Sequence, residues 1–475
     1  MHSPWRPKTA PHPIRGTTWL TLSMFVVLAP AARATTYHVA LTGSDTNPGT
    51  LEQPYRTIAH GATVLVPGDT LLVHVGTYEE SFTNGIPAGN SWDEPVTIAV
   101  APGEAATILP PAGSDRVFTF ASGNVHHVII RGFVLDAANV MYDAVKVTWG
   151  SAEGGSHHVR LEDCEVLNSP AQGILVTGDD HGVRDNEFIG LSVHDNGTDD
   201  FDHGLYISTE GNLVDGCDVY RNSGWGVHVY AEGEHTTSGN VIRNNLVHDN
   251  GRVGDRGVGI GLYSGTGILA YDHVVWGNTT GIAVNYGADG TGVYNNTVVG
   301  NSQDGISIGA DSTGTIASNN IVWNNAGEAI ANQGLATLGT NLTDSDPLFA
   351  DEANFDFRLR AGSPAIDAGG TLVAVTADID GTARPQGSAY DLGAYEYLTD
   401  PCPEAGDGAC GDGGHHHPGG DAGDAGHDGG TGGDDSGGCG CRTTTGRSGV
   451  LAWVGLLAAY GSCRALRRRR ARSGR

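Results

Sequence analysis

The stretch GIGLYSGTGILAYDHVVWGNTTGIAVNYGADGTGVYNNTVVGNSQDGISIG, residues 259–309, repeats one short pattern. Gly-aliphatic-x-aliphatic occurs at Gly259, Gly281 and Gly305, and earlier as GILV, GLYI and GVHV at Gly173, Gly204 and Gly226. Between these lies a second pattern of Asn or Cys, one residue, Val, two residues, Asn. It reads CDVYRN up to Asn222, NLVHDN up to Asn250, HVVWGN up to Asn278, NTVVGN up to Asn301 and NIVWNN up to Asn325. Copies recur mostly every 22 to 24 residues, with two longer intervals. A fixed short period means one unit stacked on itself. The unit is too short for a helical hairpin and alternates with period two, so it is a set of short strands. Aliphatic residues at alternate positions point inward. Glycine and asparagine take the turns, because both tolerate left-handed backbone. Stacking brings the asparagines into register, where their amides bond along the axis. The fold expected is an all-β solenoid.

Composition agrees. The 475 residues include 73 glycines, only 17% are charged, and the net charge is −28. That balance argues against nucleic acid as a partner, since phosphates would be repelled. Residues 1–34 read as an export signal: Arg6, Lys8 and Arg15, an apolar run over 19–29, then Ala32-Arg33-Ala34 before the cleavage point. Four zones follow. Residues 35–115 are a cap and first coils, 116–334 the repeats, and 335–397 a closing segment. A Gly/Asp/His-rich linker, 398–438, precedes a tail, 439–475, with an apolar stretch over 450–460 and arginines at 467–470. That stretch is shorter than the ~20 residues a membrane span needs, which suits a processed sorting signal.

These residues resemble a known family. The repeats are similar to single-stranded right-handed parallel β-helix proteins, the pectin-lyase-like fold. YHVALTGSDTNPGTLEQPYRTI (37–58) with PGDTLLVHVGTYEE (67–80) resembles the first coils of secreted β-helix proteins, some pectate lyases among them. DPLFADEANFDFRLRAGSPAIDAG (346–369) with DIDGTARPQGSAYDLGAYE (378–396) resembles a choice-of-anchor closing region. CGCR from Cys439, with the apolar stretch and arginines, looks like a myxobacterial C-terminal sorting signal. The resemblance implies a monomer on the outer cell surface, tethered to the envelope and acting on extracellular polysaccharide.

Inward side chains of a solenoid are packed, so chemistry belongs to the outward positions and inserted loops. Aligning the glycine motif gives one outward column: Lys146, Leu175, Tyr206, His228, Gly261, Ala283, Ser307. The next outward position holds Thr148, Thr177, Ser208 and Tyr230. The preceding turn holds Asp143, Gln172, His203 and Trp225. Lys146, His203, Tyr206 and His228 are the candidate acid–base residues, because proton removal beside a carboxylate needs a titratable base. Trp225 and Tyr230 are candidate sugar platforms, since sugar rings stack on aromatic faces. The loop HDNGTDDFDHG brings Asp199, Asp200 and Asp202 together, a set of hard oxygen ligands suited to Ca²⁺. GDDHG at Gly178 reads as an exposed turn. His126, His127, His157 and His158 read as turn or strand-start residues. Three classes of function follow: a polysaccharide lyase or C5-epimerase, a non-catalytic surface glycan-binding protein or adhesin, and a structural envelope protein with no small ligand. Cys164 and Cys217 fall on one inward column two coils apart, with Asn186 expected on the coil between. At ~9.6 Å they lie beyond bridging distance and should be free thiols. Cys402 and Cys410 are expected to pair.

Overall fold

The computed structural model describes residues 34–150, 154–233, 236–254, 256–334 and 336–398. The export signal apart from Ala34, the linker beyond 398, the sorting tail and the Cys402–Cys410 pair lie outside the described residues.

Each repeat gives one strand to each of three parallel sheets. In one coil, Leu269–Tyr271 joins the first sheet, Val274–Trp276 the second and Thr280–Asn285 the third. Each strand pairs only with its counterparts one coil before and after. The sheets hold twelve, ten and ten strands among the described residues. The central valine of the second sequence pattern forms an inward column: Val193, Val219, Val247, Val275, Val298 and Val322 pair in register and are essentially solvent-free. Burial of such a side chain contributes roughly 1.5–3 kcal/mol. A β-branched residue also suits a pleated surface packed on both neighbours.

Two corners of the coil share one design. A residue in left-handed conformation is followed by an inward residue, mostly asparagine. At the first corner Asp272, Asn295 and Asn319 have φ of 55°, 49° and 62° and precede His273, Asn296 and Asn320. At the second corner Asp249 and Gly277, with φ of 52° and 66°, precede Asn250 and Asn278. The inward amides bond from coil to coil. Asn222 donates to Asn250 at 3.0 Å, Asn250 to Asn278 at 3.2 Å, and Asn301 to Asn325 at 2.8 Å. A further ladder runs Asn186–Asn212–Asn240 at the entry to the first sheet. Asn250 also donates to the carbonyls of Val219 and His248 and accepts the backbone N–H of Asn222. Asn250→Ala strands these buried groups, and each unpaired group costs about 1–3 kcal/mol. The expected loss is about 2 kcal/mol by denaturant titration, whereas alanine at exposed Asn354 changes nothing measurable.

Cys164 and Cys217 are buried free thiols, with pKa values pushed up to about 12 by burial. The residue on the coil between them is Leu191, not Asn186. The backbone N–H groups that start the next second-sheet strands bond to Cys164, Leu191 and Cys217 in turn. LSVHDN, 191–196, is the second sequence pattern with leucine in the asparagine place.

Both ends of the described body carry added structure. The helix Ile58–Thr63, capped by Thr57 accepting from the His60 N–H at 3.2 Å, buries Ile58 and Ala62. Gly61 lets it close on the core, for a Cβ there would meet Leu71 and Val39 at 2.8 and 3.1 Å. The closing segment first completes a coil, with Thr337–Leu338 extending the first sheet and Asn341 accepting from Asn320 at 2.9 Å. From residue 346 it leaves the coils and forms an antiparallel hairpin, Phe349–Asp351 and Asp356–Leu359. Phe349, Phe357, Leu359, Leu392 and Ala394 pack against Val274, Trp276, Val299 and Ile321 on the outer side of the second sheet. Beneath it Arg384, fully buried, donates to Glu396 Oε1 at 2.8 Å and Asp272 Oδ1 at 2.9 Å.

Candidate functional site

The expected outward column exists on the third sheet. Lys146 pairs with Thr119 and Leu175, Leu175 with Tyr206, Tyr206 with His228, and His228 with Gly261. Inward neighbours such as Val145 and Val147 are core residues, so the column points away from the core. Three inter-strand steps separate Lys146 from His228, roughly 14 Å at ~4.8 Å each. The two therefore do not act on one atom, and the column has two ends.

At one end His203 and His228 form a buried pair, 4% and 8% exposed. The backbone N–H of Trp225 donates to His203 Nδ1 at 3.0 Å. That ring atom is an acceptor, so in the neutral imidazole the proton sits on Nε2. His203 Nε2 then donates to His228 Nδ1 at 3.0 Å, and His228 in turn carries its proton on Nε2. The His228 Nε2 atom is buried without a hydrogen-bond partner among the described residues. Burial pushes the His203 pKa down to about 3 and that of His228 well below its ordinary value, so both are neutral near pH 7. Gln172 holds His203 from behind: its Oε1 accepts the His203 backbone N–H at 2.5 Å, and its Nε2 donates to the Phe201 carbonyl at 3.2 Å.

Aromatic rings surround the pair. Tyr206 stacks on His228 at 4.9 Å between centroids, and Trp225 lies at 4.1 Å. Tyr230 and Tyr263 lie at 5.6 Å, Tyr263 edge-on. Tyr286, largely exposed, continues the row 5.0 Å from Tyr263. Alignment names Tyr263 too, as the residue two beyond Gly261 and in the column of Tyr230. Gly261 marks the spot where the Trp225 indole crosses the sheet: a Cβ there would sit 2.6 Å from Trp225 Cζ3. The glycine in the column makes room for a ring from the preceding coil.

At the other end Lys146 is half-buried. Its pKa is lowered by burial first and by Arg116 second, with Asp143 opposing. Arg116 Nε donates to Asp143 Oδ2 at 3.1 Å, and its guanidinium lies 4.9 Å over the Tyr142 ring. Arg116 sits two residues before Phe118, which pairs with Val145, so it belongs to the turn column of Asp143, Gln172, His203 and Trp225. Extending the alignment one coil back finds it.

The carboxylates of the acidic loop do not converge. Asp202 Oδ2 accepts the N–H groups of Thr198 and Asp199, both at 2.9 Å, and Asp199 Oδ1 accepts from Phe201 at 3.0 Å. The Asp200 pKa is raised, chiefly by a hydrogen bond shared with Asp199. No group of three or more His, Cys, Asp or Glu side chains among the described residues can hold a metal ion. The loop spends its oxygens on its own backbone and does not fit Ca²⁺ as it stands. In GDDHG, Asp180 and His181 are exposed, as expected of a turn, while Asp179 accepts the Thr236 N–H at 2.8 Å. The four early histidines are less bland than their sequence positions suggest. His126 stacks on His157 at 5.0 Å and His127 lies tilted against His158 at 4.5 Å, with Trp92 beside them.

Known proteins supply the remaining term, the hand of the coil. The model of a right-handed β-helix region matches residues 172–343. This is a right-handed β-helix. Among solved structures, pectate lyase Pel9A aligns with a TM-score of 0.63 at 19% identity, over 78% of this chain and 98% of that one. A rhamnogalacturonan lyase aligns with a TM-score of 0.52 at 15% identity, over 74% and 99%. At these identities the β-helix is what is shared. The uncharacterized protein YwoF of Bacillus subtilis (strain 168) is 26% identical over 146 residues. That match spans 30% of this chain and 30% of YwoF.

Proposed function

We propose that this protein works at the outer cell surface on an acidic extracellular polysaccharide. The reaction is removal of the proton beside a uronate carboxylate, as in a lyase or C5-epimerase. The observation that carries this reading is the outward column, with a pKa-lowered lysine beside an arginine at one end and an aromatic face at the other. A polymer is the ligand that spans both. Two polysaccharide lyases with the same fold support the substrate class.

The candidate residues divide by role. Lys146, as the neutral amine, takes the proton. The electron pair left behind either forms a C=C bond as the neighbouring C–O glycosidic bond breaks, the departing oxygen taking a proton from water to give an unsaturated sugar, or takes a proton from water on the opposite face to give the epimer. Arg116 offsets the charge that develops on the carboxylate. Tyr206, Trp225 and Tyr230 hold sugars further along the chain, over the His203–His228 pair. No step is routed through calcium at Asp199, Asp200 and Asp202; it enters only as a condition to vary. The second reading, a non-catalytic glycan binder, is favoured by the two histidines, whose Nδ1 lone pairs are both taken by hydrogen bonds, which leaves the aromatic centre without a free base.

The test is incubation of the purified protein with pectate, alginate and glycosaminoglycans, with and without Ca²⁺. Ultraviolet absorbance reports the unsaturated product, and proton NMR reports inversion at C5. Either product establishes the reaction class. No product from any polyuronate, with binding retained, leaves the binder.

A further inference from the structure

We infer that His228 is neither acid nor base but a hydrogen-bond donor of fixed tautomer, whose Nε2–H takes an oxygen of the bound glycan, carboxylate or hydroxyl, once the Trp225 indole moves aside. This rests on the reading of the column as a glycan site and assigns that site its polar anchor.

A chain of three donors fixes the tautomer. The Trp225 backbone N–H can only donate, which makes His203 Nδ1 an acceptor and His203 Nε2 a donor. His228 Nδ1 therefore accepts, and its one proton is on Nε2. No part of this sequence can reverse while the Trp225 amide stays in place. The chain ends on an atom with no acceptor among the described residues. A buried unpaired donor is a cost that packing alone does not explain. The groups facing it are aromatic: Trp225, Tyr206, Tyr230 and Tyr263. Of these, Trp225 belongs to the turn before the strand and rests over Gly261, where the missing side chain leaves room for its ring, with Tyr263 edge-on at 5.1 Å. A sugar stacked on the displaced indole would reach the freed N–H. Binding thus exchanges an unpaired donor for a paired one, so the affinity is gained in the complex alone.

The experiment uses the protein labelled with ¹⁵N in its histidine rings, with galacturonate and alginate oligosaccharides as probes. Both His203 and His228 are expected as Nε2–H tautomers, and the His228 Nε2–H resonance is expected to shift on adding one of the probes. Gly261→Ala, which forces the indole off, should open that proton to rapid exchange with water before any sugar is added. His228→Phe keeps the ring packing and removes the donor. Its melting temperature should change little, since the unpaired buried donor passes from His228 to His203, and its affinity for the probe should be about tenfold weaker. An Nδ1–H tautomer at His228, a resonance unmoved by every probe, or a His228→Phe variant that binds like the parent overturns the inference. The outcomes separate it from the proposed reaction. Turnover with a silent His228 sinks the donor role alone, and a responsive His228 without turnover sinks the reaction alone.

Discussion

Arg384→Ala is expected to cost about 3–5 kcal/mol, because it strips a buried cation from beneath the closing segment and leaves a buried carboxylate charge uncompensated. Both nitrogens of the guanidinium fork are used twice. Nη1 bonds Glu396 and the Asp391 carbonyl, and Nη2 bonds Asp272 and the Gly393 carbonyl. Leucine, which restores volume without charge, should do little better. The coils are stabilised by nearest neighbours, so the damage should be local. Hydrogen exchange should speed up over residues 346–397 and along the second sheet beneath them, while the first coils remain protected. Uniform protection throughout would refute the pairing.

Asp272 adds a pH dependence of definite sign. Burial outweighs the attraction of Arg384 and lifts its pKa to about 8, and its Oδ2 has no partner, as suits a protonated acid. The folded state thus holds a proton that the unfolded chain, with an ordinary carboxyl, has released. Stability from this group is present at low pH and falls as pH rises from about 4 through 8. Asp272→Asn should flatten that fall at no cost, since an amide oxygen still accepts from Arg384. The equivalent corner positions in the next two coils are already Asn295 and Asn319.

Lys146→Ala is expected to lower turnover on the polyuronate substrate by roughly 10²–10⁴-fold, the usual contribution of a positioned base. Folding should be unaffected, because the side chain is outward and only half-buried. Lys146→Arg should be as inactive as alanine, since a guanidinium does not give up its proton. The parent rate should climb with pH as the ammonium deprotonates, with a midpoint below that of an ordinary lysine. Unchanged kcat in the alanine variant would remove the column from the chemistry. His228→Phe should act on KM and leave this pH profile in place.

Much of this was written into the chain. A solenoid is nearly one-dimensional, so a residue's neighbour one coil away is found by aligning repeats, and no search of three-dimensional arrangements is needed. The asparagine ladder and the order Lys146–Leu175–Tyr206–His228–Gly261 follow from spacing alone, as does the distance that keeps Cys164 and Cys217 apart. Spacing misled where the motif lost its marker residue. Leu191 stands in an asparagine's place, and Asn186, the asparagine nearby, belongs to another ladder. Other features depended on directions and distances that no repeat encodes. The tautomers of His203 and His228 are set by a backbone amide on a neighbouring coil. The Trp225 indole crosses to Gly261, and the oxygens of Asp199 and Asp202 turn back on their own loop. Arg384 meets Asp272 across 112 residues, outside the repeat altogether. The period determined which residues share a face, because stacking repeats one geometry. Only the tertiary structure decided which of them touch, because rotamers, loop paths and the docking of the closing segment occur once and are not periodic.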